Sequence, residues 1–353
     1  MAALRVITGR VRSNGVRGFF NVEHVRLGKS GIQVSRLCFG SLTMGPLQRA
    51  LTLKEGASLL GLAFELGVNF VDTAEIYGTY PYVRALLLSG VPRRRLVIVA
   101  KSFAPDGPGM RASLERALVE LGTDYVDVFL LHEQESIHTL RGHAGALEAL
   151  VRSKEKGLVR AVGLSTHHVA GVLAGASTPE IDIIHPLINQ AGLGIRDGSA
   201  DDMIRAIATA KEFDKGVYAM KVLGGGHLAR EARRSVEFVA RRTACDAMAL
   251  GMQDPEEVRL NALLVEWAYA QSGHEEAALS RLERDLAEER QGRPRRLFVI
   301  DADCVGCGSC ASVCPQDALS MSTAGRTIAV DHARCILCGY CASACPTFAL
   351  KVM

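Results

Sequence analysis

Eight of the ten cysteines in this sequence fall between positions 304 and 345. They form two runs. The first reads Cys304-Val-Gly-Cys307-Gly-Ser-Cys310-Ala-Ser-Val-Cys314-Pro315, the second Cys335-Ile-Leu-Cys338-Gly-Tyr-Cys341-Ala-Ser-Ala-Cys345-Pro346. Both are C-x2-C-x2-C-x3-C-P. Three thiolates this close together wrap one face of an iron–sulfur cube, while the fourth points away toward a second cube. Pairs of the form C-x2-C also suit tetrahedral zinc, but four cysteines per run, a trailing proline and the doubled pattern weigh against it. Disulfides would need an oxidising compartment. The first 24 residues carry Arg5, Arg10, Arg12 and Arg17 and lack the apolar core of about 7–15 residues that a secretory signal needs. A cytoplasmic location and metal-bound thiolates are therefore expected.

The doubled spacing resembles bacterial-type ferredoxins. That resemblance implies two [4Fe–4S] clusters, one held by Cys304, Cys307, Cys310 and Cys345, the other by Cys335, Cys338, Cys341 and Cys314. The remaining Cys38 and Cys245 sit in strand-like apolar runs and are expected to be small buried hydrophobes.

Upstream of the cysteines the chain alternates short apolar runs with helical patterns. The runs are 35–40, 69–72, 96–101, 125–132, 161–165, 181–189, 217–221 and 247–251. Several are near-continuous in Val, Ile, Leu and Phe, as strands buried on both faces should be. Helix-like segments between them include 53–65, 110–121, 145–156, 200–213, 229–241 and 255–269. Strict alternation predicts a parallel sheet, and eight units predict a closed (β/α)8 barrel rather than an open doubly wound sheet. No G-x-G-x-x-G follows the first strand, which argues against a dinucleotide-binding open sheet. Four parts are expected: an N-terminal extension over 1–24, the barrel over 25–279, a charged linker helix over 280–296 and an α+β ferredoxin-like domain over 297–353.

In such a barrel, chemistry sits at the C-terminal ends of the strands. Asp72 ends the second strand, Lys101 the third and His132 the fourth, with Tyr77 five residues beyond Asp72. This set, in this order, resembles the catalytic tetrad of the aldo-keto reductases. The stretches Arg26-Leu-Gly-Lys-Ser-Gly-Ile-Gln-Val-Ser-Arg36 and Val162-Gly-Leu-Ser-Thr166 support it, and the likeness covers about residues 25–272. The resemblance implies reduction of a carbonyl by hydride on carbon and a proton on oxygen. Tyr77 would supply the proton, an adjacent Lys101 ammonium would lower its pKa, Asp72 would hold Lys101, and a neutral His132 would donate to the carbonyl oxygen.

The resemblance further implies a nicotinamide cofactor, NADPH or NADH, across the barrel mouth. Ser165 and Gln190 fall where the family holds the carboxamide, Thr166 stands where Asn is usual, and Met220 where a stacking Tyr is common. Backbone N–H groups at Gly224-Gly225-Gly226 would approach the pyrophosphate. The stretch 251–261 resembles the 2′-phosphate loop and keeps Pro255 and Asn261. It has Gly251, Met252 and Glu257 where Lys, Ser and Arg are frequent. An acid repels a 2′-phosphate, so weak or mixed coenzyme preference is expected, with Arg259 and Lys221 as compensating cations.

Nicotinamide moves electrons in pairs and a cubane moves one, so a flavin is a further expected candidate, as is an external redox partner protein. The alternative function is an electron-transfer or redox-sensing protein whose barrel binds a flavin or another ligand. A formal net charge of +3 gives no case for nucleic acid, and no apolar run approaches the ~20 residues of a membrane span. The expected substrate is a small carbonyl or alcohol.

Overall fold

The computed structural model describes residues 22–270, 279–280 and 296–352, except 315, 324–325, 336 and 338–339. The expected linker therefore lies almost wholly outside the described residues, as does most of the N-terminal extension.

The chain opens with an antiparallel hairpin, β1 (His24–Arg26) and β2 (Gln33–Ser35). Eight parallel strands follow. They are β3 (Leu37–Gly40), β4 (Phe70–Asp72), β5 (Val97–Ser102), β6 (Val126–Leu131), β7 (Val159–Thr166), β8 (Ile183–Pro186), β9 (Gly216–Ala219) and β10 (Ala247–Gly251). Strand β10 pairs with both β9 and β3, and the cylinder closes. The expected first run at 35–40 is divided: Ser35 ends the hairpin, its hydroxyl donating to Leu37 O at 2.6 Å, and the barrel strand starts at Leu37.

Helices α1 (Leu53–Glu65), α2 (Tyr80–Leu88), α3 (Gly107–Leu121), α4 (Ile137–Gly142), α5 (Ala144–Glu155), α6 (Val169–Ser177), α7 (Ala200–Glu212), α8 (Ala232–Arg242) and α9 (Pro255–Tyr269) surround the strands. Local chemistry explains several starts. Thr52 and Glu55 form a capping box on α1, and Asp254 accepts from the Glu257 N–H with Pro255 in the first turn of α9. Helix α6 escapes a periodic reading because its sequence, Val-Ala-Gly-Val-Leu-Ala-Gly-Ala-Ser, has no charged face.

The outward strand faces and the helices share one apolar core. A second core fills the cylinder. It is built from Cys38, Phe70, Val99, Val128, Ile183 and Tyr218 of the strands, together with Leu27, Ile32 and Val34 of the hairpin. Cys38 and Cys245 are both buried. The hairpin is thus the barrel floor.

The C-terminal module pairs β11 (Leu297–Val299) with β14 (Leu350–Val352), and β12 (Leu319–Met321) with β13 (Ile328–Val330), all antiparallel. Its small core mixes cysteines with Leu297, Leu319, Ile328 and Leu350. Phe348 joins a separate cluster with Leu187 and Met220 of the barrel. No described helix is long and apolar enough to cross a membrane.

Candidate active site at the barrel mouth

Asp72 closes β4 and Lys101 lies near the end of β5, so parallel pairing brings the two side chains to the same rim. Lys101 Nζ donates to Asp72 Oδ2 at 2.6 Å and to Thr73 O at 2.9 Å, with both side chains buried. Burial pushes the Asp72 carboxyl up, but the Lys101 ammonium, His185 and the Tyr218 hydroxyl together outweigh it, and the pKa lies below the usual value. Tyr77 ends a 3-10 turn, Glu75–Tyr77, that Gly78 terminates at a φ of 63°. Its ring centroid is 4.9 Å from Lys101 Nζ and 5.9 Å from the His132 ring, which meets it edge-on at 77°. His132 directly follows β6, and its N–H donates to Ser102 O at 2.9 Å. Phe103 stacks on it at 4.1 Å. Burial, aided by Lys101, lowers the His132 pKa well below the ordinary value, so the ring is neutral. Among the described residues its buried Nδ1 has no hydrogen-bond partner.

The four expected residues therefore converge on one rim. The acidity expected of Tyr77 does not. Burial, then Asp72, Glu133 and Asp303, raise its pKa well above the usual value. The physical reason is that the Lys101 charge is already neutralised by Asp72, while three carboxylates disfavour a phenolate. In this arrangement Tyr77 keeps its proton.

Two residues that sequence reasoning missed complete the floor of the site. Tyr218 donates its hydroxyl to Asp72 Oδ1 at 2.8 Å. His185, in β8, stacks on the Tyr218 ring at 3.8 Å, and its Nδ1–H donates to Tyr218 O at 2.7 Å. Its Nε2 lies 3.7 Å from Asp72 Oδ1, and burial lowers its pKa to about 4. The available signal was a histidine beside a proline within the apolar run 181–189, His185-Pro186.

A second charged group gathers toward the C-terminal module. Glu133 has a left-handed φ of 55° and its N–H donates to Ser165 Oγ at 3.0 Å. His167 Nε2 is 3.3 Å from the Glu133 carboxylate, and burial raises the Glu133 pKa to about 7. Lys221, at a φ of 57°, and Lys351 of β14 both have pKa values depressed first by burial. The Lys351 ammonium meets Phe348 O and lies 4.1 Å from the Phe348 ring centroid.

A cleft of about 180 Å3 opens between these groups, lined by Asp72, Tyr77, His185 and Met220 among others. Four of the expected cofactor residues line it: Met220, Lys221, Gly251 and Glu257. The other five do not. Ser165 is buried beneath Glu133, and the Thr166 hydroxyl accepts from the His168 N–H at 2.9 Å. Gln190 donates sideways to Glu231 at 3.0 Å, Asn261 is buried in α9, and Gly224 is buried while Gly225 and Gly226 form the surface. The Glu257 carboxylate accepts from the Gln253 N–H at 2.9 Å, holding the loop before α9.

In the module, Cys304, Cys307, Cys310 and Cys345 line one common cavity. Gly306 and Gly308, at φ values of 66° and 74°, turn the backbone around it. Backbone N–H groups of Ala349 and Ala318 point at Cys345 Sγ (3.2 Å) and Cys314 Sγ (3.3 Å). Such bonds favour a thiolate over a thiol. The first set of four thus borders one site, although among the described residues no three such side chains come close enough together to hold a single metal ion. In the second set, Cys314, Cys335 and Cys341 are described and Cys338 lies outside the described residues.

Comparison with known proteins agrees with both parts. The aldo/keto reductase family profile matches residues 36–281, and the 4Fe-4S dicluster domain profile matches residues 303–349. An aldo-keto reductase of Mycolicibacterium vanbaalenii is 38% identical over 144 residues, 37% of this chain and 50% of its own length. One from Mycobacterium sp. (strain MCS) is 33% identical over 165 residues, 43% of this chain and 55% of its own. The chain spans about half the length of these curated relatives. Among solved structures, a putative aldo-keto reductase from Pseudomonas aeruginosa superposes with a TM-score of 0.61 at 27% identity, over 71% of this chain and 98% of that one. One from Bacillus halodurans gives 0.60 at 19% identity, over 74% and 96%, which bears on the fold alone. With the profile spanning the whole closed barrel and the strand-end residues gathered at its mouth, this chain belongs to the aldo/keto reductase family and carries a 4Fe-4S dicluster domain behind its barrel.

Proposed function

We propose that the chain reduces a small aldehyde or ketone, or oxidises the matching alcohol, at the barrel mouth, with Tyr77 moving the proton and NAD(P)H as hydride source. One observation carries this reading: the Tyr77 ring lies 4.9 Å from an ammonium that Asp72 grips at 2.6 Å, on the rim where the barrel's chemistry is expected. A substrate carbonyl seated against Tyr77 accepts its phenolic proton as negative charge builds on oxygen. Neutral His132 donates a second hydrogen bond to that oxygen. Lys101 steadies the phenolate as it forms, and Asp72 keeps Lys101 charged and in place. The phenol starts protonated because burial and nearby carboxylates hold its pKa high, so its role is acid in reduction and base only in the reverse direction. The nicotinamide, when bound, supplies the hydride.

The test is Tyr77→Phe in the cluster-containing protein. Turnover with a panel of carbonyls should fall by about 10^2–10^4-fold with the visible cluster absorption unchanged. Full turnover would discard the assignment.

A second reading, electron transfer to a flavin or other ligand in the barrel, draws support from the position of Cys345. Arg196 of the barrel donates to its carbonyl at 3.4 Å. A visible spectrum of the purified protein separates the two readings, because a bound flavin adds its own bands. The second reading requires that an added one-electron donor bleach the clusters and that NAD(P)H leave them oxidised.

A further inference from the structure

The glycine loop after β9 is filled by the chain itself. Gly225 and Gly226 hold left-handed φ values of 65° and 96°. A Cβ on Gly226 would stand 1.9 Å from Val352 O, and one on Gly225 would stand 2.9 Å from Lys351 Cδ and 3.2 Å from the Phe348 ring. A Cβ on Gly194, from the loop after β8, would stand 3.3 Å from the same ring. His227 Nε2–H donates to Leu350 O at 3.3 Å. Phe348, 1% exposed, packs between Leu187 and Met220. Absent side chains, a ring donor and an apolar socket together make a seat fitted to β14.

A diphosphate would use the same features. It needs backbone N–H groups approached closely, which side chains would prevent. The strand carbonyl at Val352 already stands where a Cβ of Gly226 would be. The cleft left beside it is about 180 Å3, against roughly 300–1,000 Å3 for sites that enclose a whole ligand of moderate size. With the strand docked, the cleft is smaller than a site that encloses a whole ligand of that size.

We propose that the last strand of the iron–sulfur module and the diphosphate of a nicotinamide dinucleotide compete for the Gly224–Gly226 seat, so that the docked module keeps the coenzyme out and coenzyme binding displaces β14. This rests on the nicotinamide reading above. The competition is thermodynamic: the apparent Kd is the intrinsic Kd divided by the fraction of chains with an open seat. Releasing the strand therefore tightens coenzyme binding without any new contact to the coenzyme.

The experiment titrates full-length, cluster-loaded protein with NADPH and NADH under anaerobic conditions. Phe348→Ala, which empties the Leu187–Met220 socket, should lower the apparent Kd on the order of tenfold. His227→Ala should lower it by a smaller factor. Independently, hydrogen–deuterium exchange on the unmodified protein should show the Leu350–Val352 peptide losing protection at saturating coenzyme. An unchanged or weaker Kd in Phe348→Ala with cluster absorption intact, or a peptide that stays protected while coenzyme binds, overturns the competition and leaves the nicotinamide reading standing. If Phe348→Ala loses its clusters, the exchange measurement on the unmodified protein decides alone. Absence of coenzyme binding in every form overturns both.

Discussion

The cylinder is covered at both ends by strands that are not its own, and the two covers differ in chemistry. At the floor, the β1–β2 hairpin sinks Leu27, Ile32 and Val34 into the barrel interior, all at 1% exposure or less. Its backbone is locked as well: the Lys29 N–H donates to Asp214 O at 2.6 Å, and Arg26 grips Asp214 through two bonds of 3.1 and 2.9 Å. A Cβ on Gly28 would meet Gly216 N at 2.1 Å, so the turn lies flush against β9. At the mouth, the segment from Cys345 through β14 brings one large apolar side chain, Phe348, and long polar contacts of 3.3 and 3.4 Å at Leu350 O and Cys345 O. It also buries Lys351 beside Lys221 and Glu133, groups whose shifted pKa values mean that their charged forms are disfavoured there. Burial at the floor is mostly of apolar side chains, and its buried ammonium, Lys215, donates to Thr178 O and Ile181 O at 2.6 Å each. At the mouth, apolar gain is offset by desolvated charge. One cover is part of the fold, whereas the other is the one we propose the coenzyme displaces.

The comparison can be broken by experiment. The largest effect is expected at the ion pair between the two covers. Among the described residues, Lys101→Met leaves buried Asp72 with Tyr218 as its one remaining donor, and should cost about 3–5 kcal/mol in denaturant unfolding. Next comes the floor. Ile32→Ala should cost roughly 2–5 kcal/mol and lower the barrel's Tm; a loss below about 1 kcal/mol would mean that the hairpin is no more integral than β14.

Glu133→Gln tests the mouth. The folded pKa of Glu133 is raised from 4.5 to about 7. The folded state therefore holds the proton longer, and the stability this gives at low pH is lost as pH rises from about 4.5 through 7. With its side chain 30% exposed, the discounted effect is about 2 kcal/mol. Glu133→Gln should be more stable than the parent at pH 8 and equal to it near pH 4.5, read by melts across pH. His185 acts with the opposite sign: its pKa of about 4 means stability lost as pH falls from 6.5 toward 4, a slope that Glu133→Gln exposes. The smallest effect is Arg196→Ala, which removes the 3.4 Å contact to Cys345 O. It should change Tm by an amount equivalent to less than about 1 kcal/mol.

Much of the barrel was legible because strands buried on both faces read as apolar runs. Asp72, Lys101 and His132 stood out as charged or polar endings of such runs, and parallel pairing then brought them together without further information. Tyr218 and His185 were hidden because each lies inside an apolar stretch, where burial is the ordinary expectation. The cysteine spacing identified the module because its ligands are local in sequence. The docking of β14 on Gly224–Gly226 had no such signature. It joins residues more than 120 positions apart through backbone shape, and the same glycines read equally well as a phosphate loop.

The two cysteines left out of the iron–sulfur runs have an unexpected use. Cys38 and Cys245 are sealed in the barrel, and burial pushes the Cys38 thiol far up and the Cys245 thiol to about 12. Neither presents an accessible thiolate, so both are silent toward maleimide in the folded chain. Every equivalent of label taken up by native protein then counts a sulfur freed from iron. Cluster loss can thus be followed as a simple stoichiometry, against a background of zero set by the barrel itself.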